Sequence, residues 1–407
     1  MNENLAVWNG YLRPDGRKGI RNVFLVAYLV ECAHHVARRI VTEIADDDVQ
    51  LIGFPGCFPS VYADTMMERL ATHPNVGGVL LLSLGCEGFD REGLAERIAN
   101  SGRPVETLVI QQQGGTRKTI EAGVAKVREL QAISAENTPR VSMGVADLVV
   151  GTICGGSDGT SGITANPAVG RTFDRLIAES GTCIFEETGE LIGCEQVMAD
   201  RAITPELGAL IEQSVEKAER YYTVLGYGSF SPGNAEGGLT TQEEKSLGAY
   251  SKSGDSPISG LLKPGDQPPG PGLYLLDVVP DGEVRFGFPN ISDNAEIVEL
   301  IACGCHVILF TTGRGSVVGS AISPVIKVCA NPETYARMAD DMDVDAGRIL
   351  TGVADLDQVA GEIYEAVINV AGGARSLSEE MGHQEFVLTY KQFEPAGPAC
   401  LPVRSQR

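Results

Sequence analysis

Runs of apolar residues alternate with amphipathic stretches through the first third of the chain. The apolar runs predict β-strands, and the stretches with an apolar residue every three or four positions predict helices. Strands are expected at 22–29, 50–54, 76–84 and 105–110, and helices at 32–45, 60–72, 90–101 and 114–135. Such regular alternation is typical of a parallel sheet that helices cover on both faces.

The rest of the chain repeats this alternation with longer connections. Strands are expected at 147–151, 182–186, 273–278, 307–311 and 324–328, and helices at 168–179, 205–221, 294–302 and 356–371. The segments 226–238 and 253–271 predict loops, the second because it is rich in Pro and Gly. A polar stretch ending at Pro139 separates the two halves. We therefore predict an α/β protein of two domains, 1–142 and 143–407, each with a mainly parallel sheet flanked by helices.

Composition excludes several classes of function. Of the 407 residues, 43% are hydrophobic and 21% are charged, which is typical of a globular protein. The formal net charge of −22 disfavours binding to nucleic acid or to an anionic membrane, because both would repel the chain. The sequence shows neither a signal peptide nor an apolar stretch of transmembrane length. A cytoplasmic protein with reduced thiols is expected.

The segment 151–195 is the most informative one for chemistry. It contains CGGSDGTSGITANPAVG and then EETGELIGCE. Glycines and small hydroxyl residues bury little apolar surface, so this segment does not read as a packed core element. Its backbone suits close approach to a polar ligand. We expect Asp158 to be catalytic and Ser157 and Asn166 to contact a substrate.

Glutamates follow a predicted strand at close spacing, at positions 187, 190 and 195. Carboxylates this dense repel one another unless a cation neutralises them, and oxygen ligands suit Mg²⁺, Mn²⁺ or Fe²⁺. We take Glu187 and Glu195, together with the thiols of Cys154 and Cys86, as candidate metal ligands. A solvated acidic surface is the competing interpretation for the glutamates, and small buried thiols are the competing interpretation for the cysteines.

Two residues are candidates for a general base. Lys245 lies just after a helix-capping Thr240-Thr241 pair and would act as a base if it were desolvated. His35 follows the first predicted strand, next to His34, where a parallel sheet places its ligands.

A glycine-flanked arginine gives the clearest signal for anion binding. Arg314 follows an apolar strand, and its planar guanidinium offers a two-pronged contact to a carboxylate or sulfonate. Thr312 and Asn234 are further candidate contacts to the substrate. The segment matches neither a nucleotide-triphosphate loop nor a dinucleotide-binding fingerprint.

Long segments, in a fixed order, resemble the altronate/galactarate dehydratase family. They are YLRPDGRKGIRN at 11–22, HPNVGGVLLLSLGCE at 73–87, GGSD at 155–158, ANP at 165–167, the glutamates of 187–195, GNAEGGLTTQEEKSLG at 233–248, FTTGRGS at 310–316, PVIKVCAN at 324–331 and MDVDAG at 342–347. The resemblance covers nearly the whole chain. The family also includes the large subunit of sulfolactate sulfo-lyase.

The resemblance implies a lyase that uses Fe²⁺ or Mn²⁺ to remove water from a sugar acid such as altronate or galactarate, giving a 2-keto-3-deoxy acid. One alternative is the large subunit of a sulfolactate sulfo-lyase, which releases sulfite. A second alternative is a non-catalytic sugar-acid-binding protein. In relatives a histidine often follows the last glutamate, and Gln196 at this position favours the non-catalytic alternative.

The resemblance also implies partners. Longer members of the family carry a small extra domain in front of the matched region, which here begins at Tyr11. We therefore expect a separate small subunit, a small hydroxy-acid substrate and a homo-oligomer.

Overall fold

The computed structural model describes residues 6–226, 228–282 and 292–391. The strands of the first domain and of the link that follows it are β1 (Val7–Leu12), β2 (Lys18–Gly19), β3 (Val23–Tyr28), β4 (Val49–Gly53), β5 (Val76–Ser83), β6 (Val105–Val109) and β7 (Arg140–Gly144). The helices are α1 (Glu31–Ile44), α2 (Val61–Ala71), α3 (Arg91–Asn100), α4 (Ile110–Gln113) and α5 (Thr116–Asn137).

A four-stranded parallel sheet in the order β4-β3-β5-β6 forms the first domain. Alternate residues of β3 face opposite layers: Phe24 and Val26 pack with α1 and α5, while Leu25 and Ala27 pack with α2 and α3. Helices therefore cover both faces of the sheet. This confirms the α/β class predicted from the alternation of strands and helices.

A small antiparallel sheet, β2-β1-β7, joins the start of the chain to the end of the first domain. Val7 of β1 lies opposite Gly144 of β7, and Tyr11 lies opposite Arg140. The predicted domain boundary at residue 142 lies inside β7.

The strands of the second domain are β8 (Val149–Cys154), β9 (Thr182–Phe185), β10 (Ile258–Leu262), β11 (Gly272–Leu276), β12 (Val307–Thr312), β13 (Val325–Cys329) and β14 (Val344–Asp345). The helices are α6 (Ala165–Ala178), α7 (Glu195–Asp200), α8 (Pro205–Leu225), α9 (Pro232–Glu236), α10 (Gln242–Tyr250), α11 (Asp293–Ala302), α12 (Pro332–Arg337), α13 (Leu356–Ala371) and α14 (Leu377–Glu380). No helix among the described residues has both the length and the apolar character needed to cross a bilayer.

All strands of the second sheet are parallel, in the order β10-β11-β9-β8-β12-β13-β14. β9, β10 and β11, which follow β8 in the chain, lie on one side of β8 in the sheet. The later strands β12, β13 and β14 lie on its other side. The order therefore reverses at β8. In open parallel sheets, ligands bind beyond the carboxyl ends of the strands at such a reversal. This places the expected site at the end of β8, where Cys154 lies.

The second domain differs from the predicted elements at β10, at α9 and at the start of β8, among other places. The segment 253–271, predicted to be a loop, contains β10, a half-buried edge strand that pairs with β11 alone among the described strands. The segment 226–238, also predicted to be a loop, contains the short helix α9, whose first backbone N–H groups are capped by Ser231. The first strand begins later than predicted because 145–147 form a 3₁₀ turn.

The two domains pack closely against each other. The side-chain amide of Asn75 donates to the backbone oxygens of His306 (3.3 Å) and Ile322 (3.2 Å). In a second contact between the domains, the Tyr62 hydroxyl of α2 donates to the Glu299 carboxylate of α11 at 2.7 Å. The first domain therefore supports α11, which carries acidic residues of the candidate site.

Candidate active site

The loops that follow β8 and β9 bring a thiol and several carboxylates together. The two strands are neighbours in the sheet, with Thr152 opposite Phe185. β8 ends at Cys154, and β9 is followed directly by Glu186 and Glu187. A 3₁₀ turn at Thr188–Glu190 then turns the chain back towards β8.

Cys154 contacts two of these carboxylates. Its backbone N–H donates to Glu187 at 3.2 Å, and its thiol donates to Glu187 at 3.5 Å and to Glu190 at 3.2 Å. The Ser157 hydroxyl donates to the Cys154 sulfur at 3.1 Å. The sequence-based grouping of Cys154 with Glu187 thus corresponds to direct contact in the structure.

Two buried lysines complete this arrangement. Lys245 of α10 forms an ion pair with Glu190 at 2.5 Å, and the fully buried Lys252 forms a short ion pair with Glu187. We call Cys154, Glu187, Glu190, Lys245 and Lys252 the charge cluster. Its two ammonium groups contact its two carboxyl groups, so lysines provide part of the neutralisation that was predicted to come from a metal.

The backbone at Glu187 is unusual. Its φ is 81°, in the left-handed region that residues other than glycine seldom adopt. Strain of this kind costs about 1–3 kcal/mol and is found mostly where function requires it. The turn aims the Glu187 carboxylate at Cys154 and Lys252.

The two carboxyl groups of the charge cluster have pKa values shifted in opposite directions. Burial, and after it the Glu190 carboxylate, raises the pKa of Glu187 to about 8 although Lys252 opposes the shift. Burial also disfavours ionised Glu190, but Lys245 and Lys252 outweigh it and hold its pKa below the usual value. Groups whose environments separate their pKa values in this way often divide the roles of acid and base.

The cations and the thiol have fixed protonation states at neutral pH. Burial alone would lower the pKa of Lys245, but Glu190 outweighs it and raises that pKa. The pKa of Lys252 also lies well above its usual value, because the surrounding acidic groups outweigh burial. Burial, followed by Glu187 and Glu190, raises the pKa of Cys154 well above that of a free thiol.

A further acidic group lies beside the charge cluster. Glu186, Glu187 and Glu296 offer carboxylate oxygens within 4.8 Å of one another. Burial, and then Glu296, raises the pKa of Glu186 well above its usual value. Burial, and then Glu190, raises the pKa of nearby Asp293 to about 6.

Two cavities flank the charge cluster. One, of about 250 Å³, is lined by Cys154, Asn166 and Lys245 among others. The second, of about 390 Å³, is lined by Glu187, Glu190 and the acids of α11 among others. The Lys245–Glu190 ion pair therefore lies between the two cavities.

Asp158 and Asn234 hold the surrounding loops together. Asp158 accepts from the backbone N–H groups of Thr160 (2.9 Å) and Ser161 (3.2 Å) and from the Asn331 side chain (3.0 Å). Asn234 donates to the Ser157 backbone oxygen at 2.9 Å. With these partners, Asp158 orders its loop, and its predicted catalytic role stays a prediction.

The other predicted substrate contacts lie around the same loops. The Asn166 amide nitrogen donates to the Gly248 backbone oxygen at 2.9 Å, and its buried oxygen has no hydrogen-bond partner among the described residues. Thr312 accepts from the Gly315 backbone N–H at 2.9 Å. Arg314 lies at the half-exposed rim, where it donates to Gly233 and forms a 3.1 Å ion pair with Glu236. Arg314 would have to exchange these contacts for a substrate anion.

Glu195, Cys86 and His35 also lie outside the charge cluster. Glu195 opens α7, where its carboxylate accepts from the Gly193 backbone N–H at 2.7 Å, and neither group of clustered metal-ligating atoms includes it. Cys86 is exposed on the loop after β5 of the first domain, and His35 is exposed on α1. Gln196, which follows Glu195, contacts Asp200 of its own helix at 2.9 Å.

Sequence reasoning missed four residues near Cys154: Lys252, Glu186, Asp293 and Glu296. Lys252 stands between serines with no motif around it, and Glu186 reads as the last residue of a strand. The two acids of α11 belong to a helix predicted only as an element. For Glu186 and the two acids of α11, the available signal was a charged residue in an otherwise apolar element.

Comparison with known proteins identifies the family. The family models "D-galactarate dehydratase/Altronate hydrolase, second domain" and "D-galactarate/Altronate dehydratase, C-terminal" match residues 10–135 and 145–393. The chain belongs to the D-galactarate/altronate dehydratase family. The family resemblance inferred from the sequence motifs is thereby confirmed.

Relatives in this family cover most of the chain. The chain is 33% identical to (2R)-sulfolactate sulfo-lyase subunit beta of Chromohalobacter salexigens over 395 residues, which are 93% of this chain and 96% of that protein. It is 31% identical to altronate dehydratase of Escherichia coli over 395 residues, 93% of this chain and 76% of that protein. It is 32% identical to altronate dehydratase of Bacillus subtilis over 403 residues, 95% and 78% respectively. All three are lyases, so the predicted enzyme class is confirmed.

Proposed function

We propose that this protein is a hydro-lyase that removes water from a sugar acid such as altronate or galactarate and yields a 2-keto-3-deoxy acid. One observation carries the proposal: the charge cluster lies at the strand-order reversal of the parallel sheet, in a member of this family. Such an elimination needs an ionised base, a protonated acid and positive charge near the substrate carboxylate. The charge cluster contains all three.

The reaction breaks two bonds of the substrate. The C–H bond next to the carboxylate breaks as a base takes the proton, and its electron pair forms the new carbon–carbon double bond. The C–O bond at the neighbouring carbon breaks, and the hydroxyl leaves as water after it receives a proton. The resulting enol isomerises to the 2-keto acid.

We assign the base to Glu190 and the acid to Glu187. The pKa of Glu190 lies below its usual value because of the two lysines, so it is ionised at neutral pH. Glu187, with a pKa raised to about 8, keeps a proton at neutral pH that it can give to the leaving hydroxyl. Lys245 was the sequence-based candidate for the base, but its raised pKa keeps it charged. We propose that Lys245 stabilises the negative charge that develops on the substrate carboxylate.

His35 fits the role of base less well than Glu190. It is exposed on α1 of the first domain, whereas the charge cluster belongs to the second. A buried, ionised carboxylate beside two cavities meets the requirements of position and pKa together.

The residues present fit a divalent metal. Two sets of ligand atoms lie within 4.8 Å of one another: Cys154, Glu187 and Glu190, and Glu186, Glu187 and Glu296. Both oxygens of buried Glu186 lack a hydrogen-bond partner among the described residues, as expected of a carboxylate that awaits a cation. Glu186 and Glu296 would hold Fe²⁺ or Mn²⁺ while Glu187 keeps its proton, and the metal would supply Lewis acidity towards the substrate carboxylate and hydroxyl.

We propose that the smaller cavity holds the hydroxylated end of the substrate. The unpartnered Asn166 oxygen lines it and would accept from a substrate hydroxyl. Ser157 lines the same cavity. Arg314 remains our candidate for the distal anion, because its rim position leaves the guanidinium half-exposed.

A substrate panel tests this proposal. The purified chain would be incubated anaerobically with Fe²⁺ or Mn²⁺ and with altronate, galactarate or sulfolactate, and the formation of 2-keto acid and of sulfite would be followed. We expect a 2-keto acid from at least one sugar acid, without sulfite. Binding of sugar acids without turnover would instead support the non-catalytic alternative.

Sulfo-lyase activity is the second candidate, and the similarity to a sulfo-lyase subunit beta over 96% of its length favours it. Sulfite release from sulfolactate would establish this activity in place of dehydration. The words "subunit beta" in the name of that relative also support a separate partner subunit. Addition of a candidate small subunit should then raise kcat, and an unchanged kcat would argue against the partner.

A further inference from the structure

Three cysteines of the first domain differ from the other cysteines that the structure describes. Cys32, Cys57 and Cys86 are exposed, whereas the remaining described cysteines are buried. Unpaired cysteines are among the most buried residues in proteins, so exposure of a thiol calls for an explanation.

The register of the sheet places these thiols at equivalent positions. Tyr28 of β3 lies opposite Gly53 of β4 and opposite Leu82 of β5. Each of the three cysteines follows its own member of this row by four residues. Since the strands are parallel neighbours, the thiols lie on three adjacent loops at one carboxyl edge.

Backbone hydrogen bonds tie the three loops together. The Gly88 N–H donates to the Cys57 oxygen at 2.7 Å, and the Glu31 N–H donates to the Pro55 oxygen at 3.3 Å. Gly85, just before Cys86, has a φ of 121°, which only glycine adopts readily, and a Cβ there would lie 2.6 Å from the Gln111 side chain. The loops are thus shaped by local geometry and do not trail freely.

The charged side chains next to the thiols form hydrogen bonds with groups other than the thiols. Cys32 lies in the first turn of the 14-residue helix α1, at the positive end of the helix dipole. The Glu87 carboxylate folds back to accept from the N–H groups of Gly85 (2.9 Å) and Cys86 (3.1 Å). The Nδ1 atom of His34 lies 3.0 Å from the Glu31 carboxylate, within hydrogen-bonding distance.

The spacing of the thiols argues against a single ion. A tetrahedral ion with metal–sulfur bonds of about 2.3 Å holds its sulfur ligands about 3.8 Å apart. Among the described residues, these thiols are not one of the groups whose ligand atoms lie within 4.8 Å of one another. An iron–sulfur cluster is larger than one ion and holds its cysteine ligands farther apart.

We propose that Cys32, Cys57 and Cys86 bind an iron–sulfur cluster of the four-iron class, with one iron left open to an external ligand. The site belongs to the first domain and is separate from the carboxylate-rich charge cluster of the second. Binding requires only that the three thiols lose their protons and coordinate iron.

Anaerobic reconstitution of the whole chain with ferric chloride, sodium sulfide and dithiothreitol tests the proposal. We expect uptake of about four irons and four sulfides per chain, with the visible charge-transfer absorption of thiolate-bound iron. The triple variant Cys32→Ser, Cys57→Ser, Cys86→Ser should lose this absorption. Cys329→Ser is the matched control, since a hydroxyl can keep the contact of that buried thiol to the Asn331 oxygen.

Alkylation of the wild-type chain avoids dependence on variants. After reconstitution, mass spectrometry should find Cys32, Cys57 and Cys86 protected from iodoacetamide, and removal of the cluster should expose them. Equal alkylation with and without iron and sulfide would overturn the proposal. So would iron bound without sulfide, or a triple variant that matches the wild type in iron, sulfide and absorption. Neither readout depends on lyase activity.

Discussion

Replacement of Glu190 by Gln tests the assignment of the base. The amide is nearly the same size as the carboxylate and can still contact Lys245, which lies 2.5 Å away, but it cannot accept a proton from carbon. General acid–base catalysis contributes typically 10²–10⁴-fold, so kcat should fall by about that factor, or about 2.7–5.4 kcal/mol in activation free energy.

The assay is the rate of 2-keto acid formation on the sugar acid that proves to be the substrate. Glu195→Gln is the matched control, because among the described residues this nearby carboxylate hydrogen-bonds only within its own loop and lies outside the charge cluster. Its kcat should change less than about 2-fold, since surface substitutions have small effects. Bound metal and the melting temperature would be measured for both variants.

The metal measurement distinguishes two explanations of a slow Glu190→Gln enzyme. Loss of activity with wild-type metal content supports Glu190 as the base, whereas loss of both would make it a ligand. A folded, metal-loaded Glu190→Gln enzyme that keeps more than about a tenth of the wild-type kcat would refute the assignment, because the loss would fall short of what a general base contributes.

Three further predictions follow from the charge cluster. Because the pKa of Glu187 is raised to about 8 from 4.5, its protonation stabilises the fold fully below pH 4.5, and that contribution is lost as pH rises through about 8; Glu187→Gln should flatten the pH dependence of the denaturant midpoint over this window, and an unchanged profile would contradict the shift. Lys252→Met should lower the free energy of unfolding by about 3 kcal/mol at a pH above 8, where Glu187 is ionised and would lose its partner in a buried ion pair; urea unfolding measures this, and the surface substitution Lys126→Met, which should leave stability unchanged, is its control. Chelation should abolish turnover and added Fe²⁺ or Mn²⁺ should restore it; full activity in a preparation shown to contain no metal would exclude this dependence.

Periodicity predicted the buried parallel strands well because each is a nearly continuous apolar run. β5, buried along its whole length, is the clearest case. Periodicity did not predict β1 or β10, since β1 exposes Val7 and buries Gly10, so that its residue types do not follow its burial, and β10 is half-buried at an edge. Such strands are fixed by pairing partners that lie far away in the sequence.

The sequence grouped residues that contact each other in the structure where several chemical groups occur in one short segment. Cys154 and Glu187 were grouped from one segment, and they contact each other. Lys252 and Glu296 reach the same place through tertiary packing, which leaves no local pattern in the sequence. Asp158 was predicted to be catalytic as a polar residue in a glycine-rich loop; its hydrogen bonds order that loop, and its catalytic role stays a prediction.

The pairing of β1 with β7 has a consequence for synthesis of the chain. Val7 cannot pair with Gly144, its partner in the register, until nearly the whole first domain has left the ribosome. At about 5–20 residues per second, the roughly 130 residues between the two strands take on the order of 6–26 s to make. During that interval the open backbone edge of β1 is exposed to other nascent chains. Closure of this small sheet thus marks the moment at which the first domain is complete.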